Sequence, residues 1–508
     1  MNTEKHPDVK SSWAGRIFAL DLRSLALFRI GWGLIMIWDL FHRWATLRAM
    51  YTDQGFFTRQ MSYDYLDCQV GPQFSSYFWS LYWIFGSTEF AATLFIVTGM
   101  LALLLVIGWQ TRVVAVGLFI MLVSLHYRNP MVTQSCDHYF RMLLLWSLFL
   151  PWARVWSWDA WRAGRTVANQ LTPVANFATV GLICQIIAMY FFGGISKWNE
   201  VWLQGDAMWY VLRLDIFVTP LGASLLEYPT FLRFVSWATL FFEVVWVWTL
   251  LVPWKNDWFR WSNILVFFGF HLGIGLTMSI GLFPAICILS WIALLPCSVW
   301  PSHGENGFVG FDRWADLKPT RRVCRLVCAF LLLFTVVWNV GNISPSLAQK
   351  LQQPVVKWLS FGGGLDQRFH MYSRPPTFSP RFVYEAELED GRRVDLLTED
   401  DAVSERPDSV IKTMPNFHWR KLHRNLVSQR YAFMRQGLAD YWVRQWNDSH
   451  GPGQQVVAMK LICFMEEIGP SYNEKNVNRV IWASVKTEQA PSGGLFDQLL
   501  KTKGDLPF

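Results

Sequence analysis

The sequence predicts a mainly α-helical integral membrane bundle of about nine transmembrane helices, followed by a small extracytoplasmic α+β domain. Three observations lead there. Apolar stretches near membrane-spanning length recur from residue 24 to residue 343. The chain of 508 residues is 52% hydrophobic and only 16% charged, with 30 Trp and 39 Phe, which is more apolar surface than one soluble core needs. Beyond residue 344 the long apolar stretches cease and strand-like alternation begins. The expected organisation is a cytoplasmic segment 1–23, a membrane domain 24–343 and an extracytoplasmic domain 344–508.

The apolar segments fall at 24–44, 88–109, 112–127, 138–152, 175–196, 231–253, 262–279, 281–296 and 323–343. Several are shorter than the ~20 residues a span needs, so one or two could be re-entrant. The aromatic stretch 75–86 (FSSYFWSLYWIF) reads as an interfacial or half-inserted helix. The N-terminus, MNTEKHPDVKSSWAGR, lacks the apolar core and cleavage site of a removable signal peptide. With that end inside, cytoplasmic segments hold 14 Lys and Arg against 6 in the opposite loops, which satisfies the positive-inside rule. Nine spans then place the C-terminal part, and Lys197, on the outer side. The net charge of +7 is spread over short loops, so no nucleic-acid partner is expected.

In the C-terminal part, 382–397 (FVYEAELEDGRRVDLL) alternates around Asp390-Gly391, a two-residue hairpin signal. Residues 417–447 read as one long basic helix, and 455–465 and 479–487 as two more strands. Eight cysteines without a CxxC pair argue against zinc or redox chemistry, and no metal is expected. Cys68, Cys136 and Cys463 fall on the outer side, where disulfides form. A Cys68–Cys463 link would tie the first loop to the C-terminal domain, and three candidates leave the pairing open.

Ionisable groups inside spans are costly and mark candidate sites. The first span carries Arg29 and Asp39, and the fourth carries His138 and Arg141 on one face. The sixth holds Glu243 and the seventh His271. The fifth span ends in YFFGGISKWNEVWLQG, running from Tyr190 through Lys197 to Trp202 and Gly205. Asp39, His138, Lys197 and His271 would converge on the outer half of the bundle. Each also has a structural reading. Lys197 could snorkel to headgroups, His271 could be a packing histidine, and Arg29 and Glu243 could form structural pairs.

LALFRIGWGLIMIWD, with Phe28, Arg29, Gly33 and Asp39, resembles the first membrane segment of the vitamin K-dependent γ-glutamyl carboxylase family, and YTDQGF resembles that family's next segment. GGISKWNEVWLQG resembles that family's lysine segment at Gly194, Lys197, Trp202 and Gly205. CDHYF with His138, FHLGIGLTMSIGLF with His271, and the hairpin and basic helix beyond the membrane occur in the family's order. The resemblance is to the bacterial membrane-domain branch and implies a bacterial inner-membrane location.

The resemblance implies a lyase using reduced vitamin K (a naphthohydroquinone), O2 and CO2. In this family the matching lysine deprotonates the hydroquinone, which reacts with O2. The strongly basic product of that step takes a γ-proton from a glutamate side chain, the carbanion adds CO2, and the quinone leaves as its epoxide. The expected catalytic residues are Lys197, His138 and His271. Asp39, Arg29, Arg141, Tyr190, Trp202 and Glu243 are expected to line the quinone or substrate pocket. Lys197 must deliver a neutral amine, and burial at the hydrocarbon edge is the means expected. The partners implied are the lipid bilayer, an isoprenoid quinone and an extracytoplasmic protein substrate bearing Glu residues.

Ser196, Asn199 and Val201 depart from the residues expected in the animal enzymes, and the C-terminal domain is short. A second reading is a non-enzymatic membrane scaffold whose outer domain binds a partner through the basic residues Arg420, Lys421, Arg424, Arg430 and Arg435.

Overall fold

The computed structural model describes residues 13–165, 173–300, 319–401, 406–407, 409–468 and 477–486. Lys5, Lys10, Arg313 and Lys318, which contributed to the charge count, lie outside the described residues. The chain forms two compact units, Met1–Thr377 and Phe378–Phe508. The division therefore falls well after 344, because the segment following the last span hydrogen-bonds back among the helices.

All nine apolar segments are helical: α1 (Leu22–Trp44), α2 (Thr88–Ile107), α3 (Thr111–Arg128), α4 (Ser135–Ser147), α5 (Phe177–Ser196), α6 (Pro229–Val244), α7 (Asn256–Thr277), α8 (Phe283–Ile292) and α9 (Pro319–Ile343). Seven are long and apolar enough to cross a membrane, α6 with its continuation to Leu251. Nine full spans are not seen. α4 has 13 residues and α8 has 10, so at about 1.5 Å per residue neither helix by itself covers the ~30 Å of a hydrocarbon layer. Both pack against α1 and against each other. A short helix is tolerated there because its ends meet protein rather than lipid. Gln134 and Asp137 cap α4 reciprocally, and Asn176 and Thr179 do the same for α5.

Two elements differ from expectation. The stretch 75–86 forms no helix of its own, only the end of the turn Pro72–Ser75 and a 3-10 turn at Leu81–Trp83. The Ser80 hydroxyl donates to Ser124 O at 2.7 Å and fixes this segment on α3. The long basic helix is instead two helices, α10 (Phe417–Leu426) and α11 (Arg435–Ser449). Between them Tyr431 leaves helical geometry, and the Arg435 guanidinium donates to Leu426 O from Nε at 3.1 Å and Nη2 at 3.0 Å. The charge that suggested a solvated face is thus partly spent capping a helix end.

The second unit is an antiparallel sheet in the order β2-β1-β3-β4, formed by β1 (Phe378–Leu388), β2 (Arg393–Asp395), β3 (Val456–Glu467) and β4 (Val477–Lys486). Gly391 turns the first hairpin at φ +84°, a conformation that favours glycine. Cys68 lies in the first unit and Cys463 in the second, and each is a free thiol. Cys463 is sealed within β3, and burial pushes its thiol up to about 12.

His423 is fully buried in this unit. Its Nδ1–H donates to Trp419 O at 2.8 Å, and its Nε2 accepts from the Tyr384 hydroxyl at 2.6 Å. Burial lowers the imidazole from 6.5 to about 4. The unfolded chain then binds the proton more readily, so stability is full above pH 6.5 and falls as pH drops towards 4. The expected loss is about 3 kcal/mol, at about 1.36 kcal/mol per pH unit. Hydrogen exchange of β1 and α10 amides between pH 7.5 and 4 measures this. A His423→Gln variant should flatten the profile, and an unchanged slope would exclude His423 as its source.

Candidate functional site

The fifth helix stops where two glycines precede Lys197. A Cβ on Gly194 would lie 2.7 Å from Val244 Cγ2 and 2.9 Å from Glu243 Cβ. The glycine is what lets α5 and α6 approach closely enough for their side chains to pair. Lys197 Nζ donates to Glu243 Oε2 at 2.6 Å and to Gly193 O at 3.3 Å. Both side chains are more than nine-tenths buried. The ammonium lies 5.6 Å from the Trp202 ring centroid, and Trp202 Nε1 donates to Tyr372 O at 2.9 Å. Gly205 follows at φ +85°, facing Trp237 and Arg233.

Lys197, Trp202 and Glu243 border a cavity of about 330 Å3 whose other walls are mostly apolar residues, chiefly of α6 and α7. Gly269 and Gly273 of α7 line it, and a Cβ at either would meet nothing within 4 Å. Packing does not demand these glycines; they widen the cavity. Two threonine hydroxyls on the wall, Thr239 and Thr277, turn back to their own helices and donate to Val235 O and Gly273 O.

A second cavity, about 640 Å3, is the more polar of the two. Arg141 Nη2 donates to Asp366 Oδ1 at 2.8 Å and to Asp366 O at 2.7 Å. His138 Nδ1 lies 3.0 Å from Asp366 O, and the Tyr127 hydroxyl donates to Asp366 Oδ1 at 2.5 Å. Burial works against charge on Asp366. The Arg141 guanidinium, then His138 and the Tyr127 hydroxyl, overcome this and hold its carboxyl below the usual carboxylate range. Lys357, Arg368 and His370 complete a cation-rich wall. Burial, then Arg368 and Lys197, lowers the His370 imidazole. Arg141 Nη1 and Nε are buried without hydrogen-bond partners among the described residues, donors suited to an anion or a polarised carbonyl.

The segment Asp366–Tyr372 borders both cavities: Asp366, Gln367, Arg368 and His370 face the polar one, Met371 and Tyr372 the apolar one. Gln367 anchors it, its Oε1 accepting from Gln185 Nε2 at 2.8 Å and its carbonyl from Asn342 Nδ2 at 2.9 Å. At the far end Ser373 O accepts from Asn199 Nδ2 at 2.7 Å. Sequence reasoning missed this strap. Its one signal was DQRFHMY, a polar and aromatic cluster soon after the last span.

The candidate residues do not share one cavity. Arg29 is fully buried, and its guanidinium donates to the carbonyls of Leu105, Val106 and Trp156, closing the C-terminal end of α2. Asp39 accepts from Arg43 Nε at 2.7 Å; Arg43 also pairs with Asp137 at 3.0 Å and donates to the Tyr51 hydroxyl. These are structural pairs. His271 lines neither cavity: its Nε2 shares a 2.7 Å hydrogen bond with the Tyr190 hydroxyl, which accepts from Trp291 Nε1 at 2.8 Å. Tyr190 is likewise behind the wall. His138 and Arg141 sit in the polar cavity, apart from Lys197, Trp202 and Glu243 in the apolar one. Lys197 is buried as expected, and the Glu243 carboxylate meets it at 2.6 Å.

The sequence profile of the HTTM domain matches residues 19–299, which contain α1–α8 and the Lys197–Glu243 pair. No solved structure matches the chain.

Proposed function

The chain belongs to the HTTM-domain family, the transmembrane domain shared by vitamin K-dependent carboxylase-like proteins, and on that premise we propose that it couples oxygenation of a reduced naphthoquinone to carboxylation of glutamate side chains. The observation that carries this reading is the buried Lys197–Glu243 pair on the wall of an apolar cavity. A cavity of about 330 Å3 with one acid–base pair suits a flat aromatic diol, polar at its hydroxyls and apolar elsewhere.

The pair acts as a unit. Lys197 passes a proton across the 2.6 Å contact to Glu243 and then takes one from a quinol hydroxyl. The carboxylate ends neutral, and the ammonium faces the quinol oxyanion, so the charge is compensated at every stage. When bound with O2, the quinol supplies the strong base that removes a glutamate γ-proton. Arg141, Lys357 and Arg368 supply cationic donors on the polar side for a glutamyl carboxylate and for CO2. The strap keeps water of the polar cavity from the apolar one, with Met371 and Tyr372 on the dry side.

The protein is multi-pass, with several apolar helices of membrane-crossing length. The charge bias supports a cytoplasmic N-terminus and an extracytoplasmic C-terminal unit, in a bacterial inner membrane. The scaffold reading loses part of its warrant, because Arg420 and Arg435 of the basic helix are buried.

Protein in lipid nanodiscs, given chemically reduced vitamin K and O2, should yield the epoxide by mass spectrometry and incorporate labelled CO2 into Glu peptides. No epoxide from well-folded protein, across several tail lengths, would overturn the reading. The slot at Gly269 and Gly273 makes a further expectation. Leucine at both positions starts from a Cβ in open space and extends into the cavity beside an isoprenoid tail. The KM for long-tailed quinols should rise ~10-fold or more, while a tail-less quinol is affected little. Equal effects on both would place the tail elsewhere.

A further inference from the structure

At the end of α5 opposite Lys197, the connection between α4 and α5 meets the first turn of α3. Arg112, Arg154 and Arg165 line a hollow there of about 490 Å3. The floor is apolar, from Leu150, Pro151 and Trp152. One carboxylate borders it, that of Asp159, and it is already committed. Its Oδ1 accepts from the Gln110 amide at 2.9 Å, and its Oδ2 from the Thr111 amide at 2.9 Å and hydroxyl at 2.8 Å. Among the described residues, none of the three arginines has a carboxylate within ion-pair distance. Burial, then Arg165, Arg321 and Arg112, lowers the Arg154 guanidinium, so the cluster is under mutual repulsion. Around it Trp109, Trp156, Trp158 and Trp161 are exposed, the pattern of a headgroup-level aromatic belt.

We propose that this hollow binds the phosphodiester headgroup of an anionic phospholipid, held by Arg112, Arg154 and Arg165. Guanidinium groups with no ion-pair partner among the described residues, over an apolar floor, suit a phosphate whose acyl chains run down the bundle, and planar forks suit its oxygens better than ammonium groups would. Free inorganic phosphate shares the oxyanion chemistry but has no use for the apolar floor or the tryptophan rim. The inference is independent of the reading of the lysine site.

Native mass spectrometry of the purified full chain tests it, with phosphatidylglycerol, phosphatidylcholine and inorganic phosphate as probes. Wild type should retain phosphatidylglycerol over phosphatidylcholine, and Arg112→Gln/Arg154→Gln/Arg165→Gln should lower that preference by roughly 100-fold. A control removing equal charge from the second unit, Arg392→Gln/Arg393→Gln/Lys486→Gln, should leave the preference intact. If the first triple variant fails to purify, the exposed single changes Arg112→Gln and Arg165→Gln should each weaken retention about five-fold. Unchanged retention in the arginine variants overturns the proposal. So does displacement of phosphatidylglycerol by an equal concentration of inorganic phosphate, which would make the hollow a site for a free oxyanion.

Discussion

Replacing Lys197 by Ala is expected to abolish epoxide formation from reduced vitamin K, and replacing Glu243 by Gln to do so nearly as completely. Loss of a positioned base costs ~10^2–10^4 in rate. The carboxylate is included because, in the proposed mechanism, it receives the lysine proton across the 2.6 Å contact. Either single change also strands its partner's charge in a site more than nine-tenths buried, which costs about 3–5 kcal/mol. Inactivity could then reflect poor folding. The double variant Lys197→Met/Glu243→Leu separates the two effects, since a well-packed apolar replacement of a buried pair is often neutral or stabilising. It should melt near wild type and remain inactive. Epoxide formation by Lys197→Ala above a tenth of wild type would remove the pair from the chemistry.

Asp366→Asn separates the two half-reactions. The change keeps size and the backbone carbonyl that accepts from Arg141 at 2.7 Å, but it removes the carboxylate that Arg141, His138 and Tyr127 share. Stability should fall by about 1–3 kcal/mol, the cost of a weakened hydrogen bond to a buried charge. Labelled CO2 uptake into a Glu peptide should fall ~10^2-fold, as expected when one preorganised electrostatic contact is lost. Epoxide formation should persist, because the apolar cavity's acid–base pair is untouched. A parallel fall in both products would show that the cavities do not divide the reaction.

The sequence by itself determined the helices and the lysine. Apolar runs state their length directly, and the hydrogen-bonding needs of a backbone in lipid leave helix as the outcome, so all nine segments were legible. Asp390-Gly391 announced its hairpin equally plainly, because few residues other than glycine reach φ +84° without strain. What the sequence could not rank was the charges within those helices. Arg29, Asp39, Arg43 and Glu243 are all buried, and the cost of burying a charge says only that some partner exists. The partner is chosen by helix packing. The Gly194 contact brings Glu243 to Lys197, while Arg29 finds the carbonyls at the end of α2. His271 shows the same limit, since its neighbour is Tyr190 and not the cavity. The strap at Asp366–Tyr372 has no periodicity to read, and its place between the two cavities comes from Gln367 meeting Gln185, 182 residues away in sequence. Local pattern sets which residues are buried, and tertiary structure decides which of the buried charges meet and therefore where chemistry can occur.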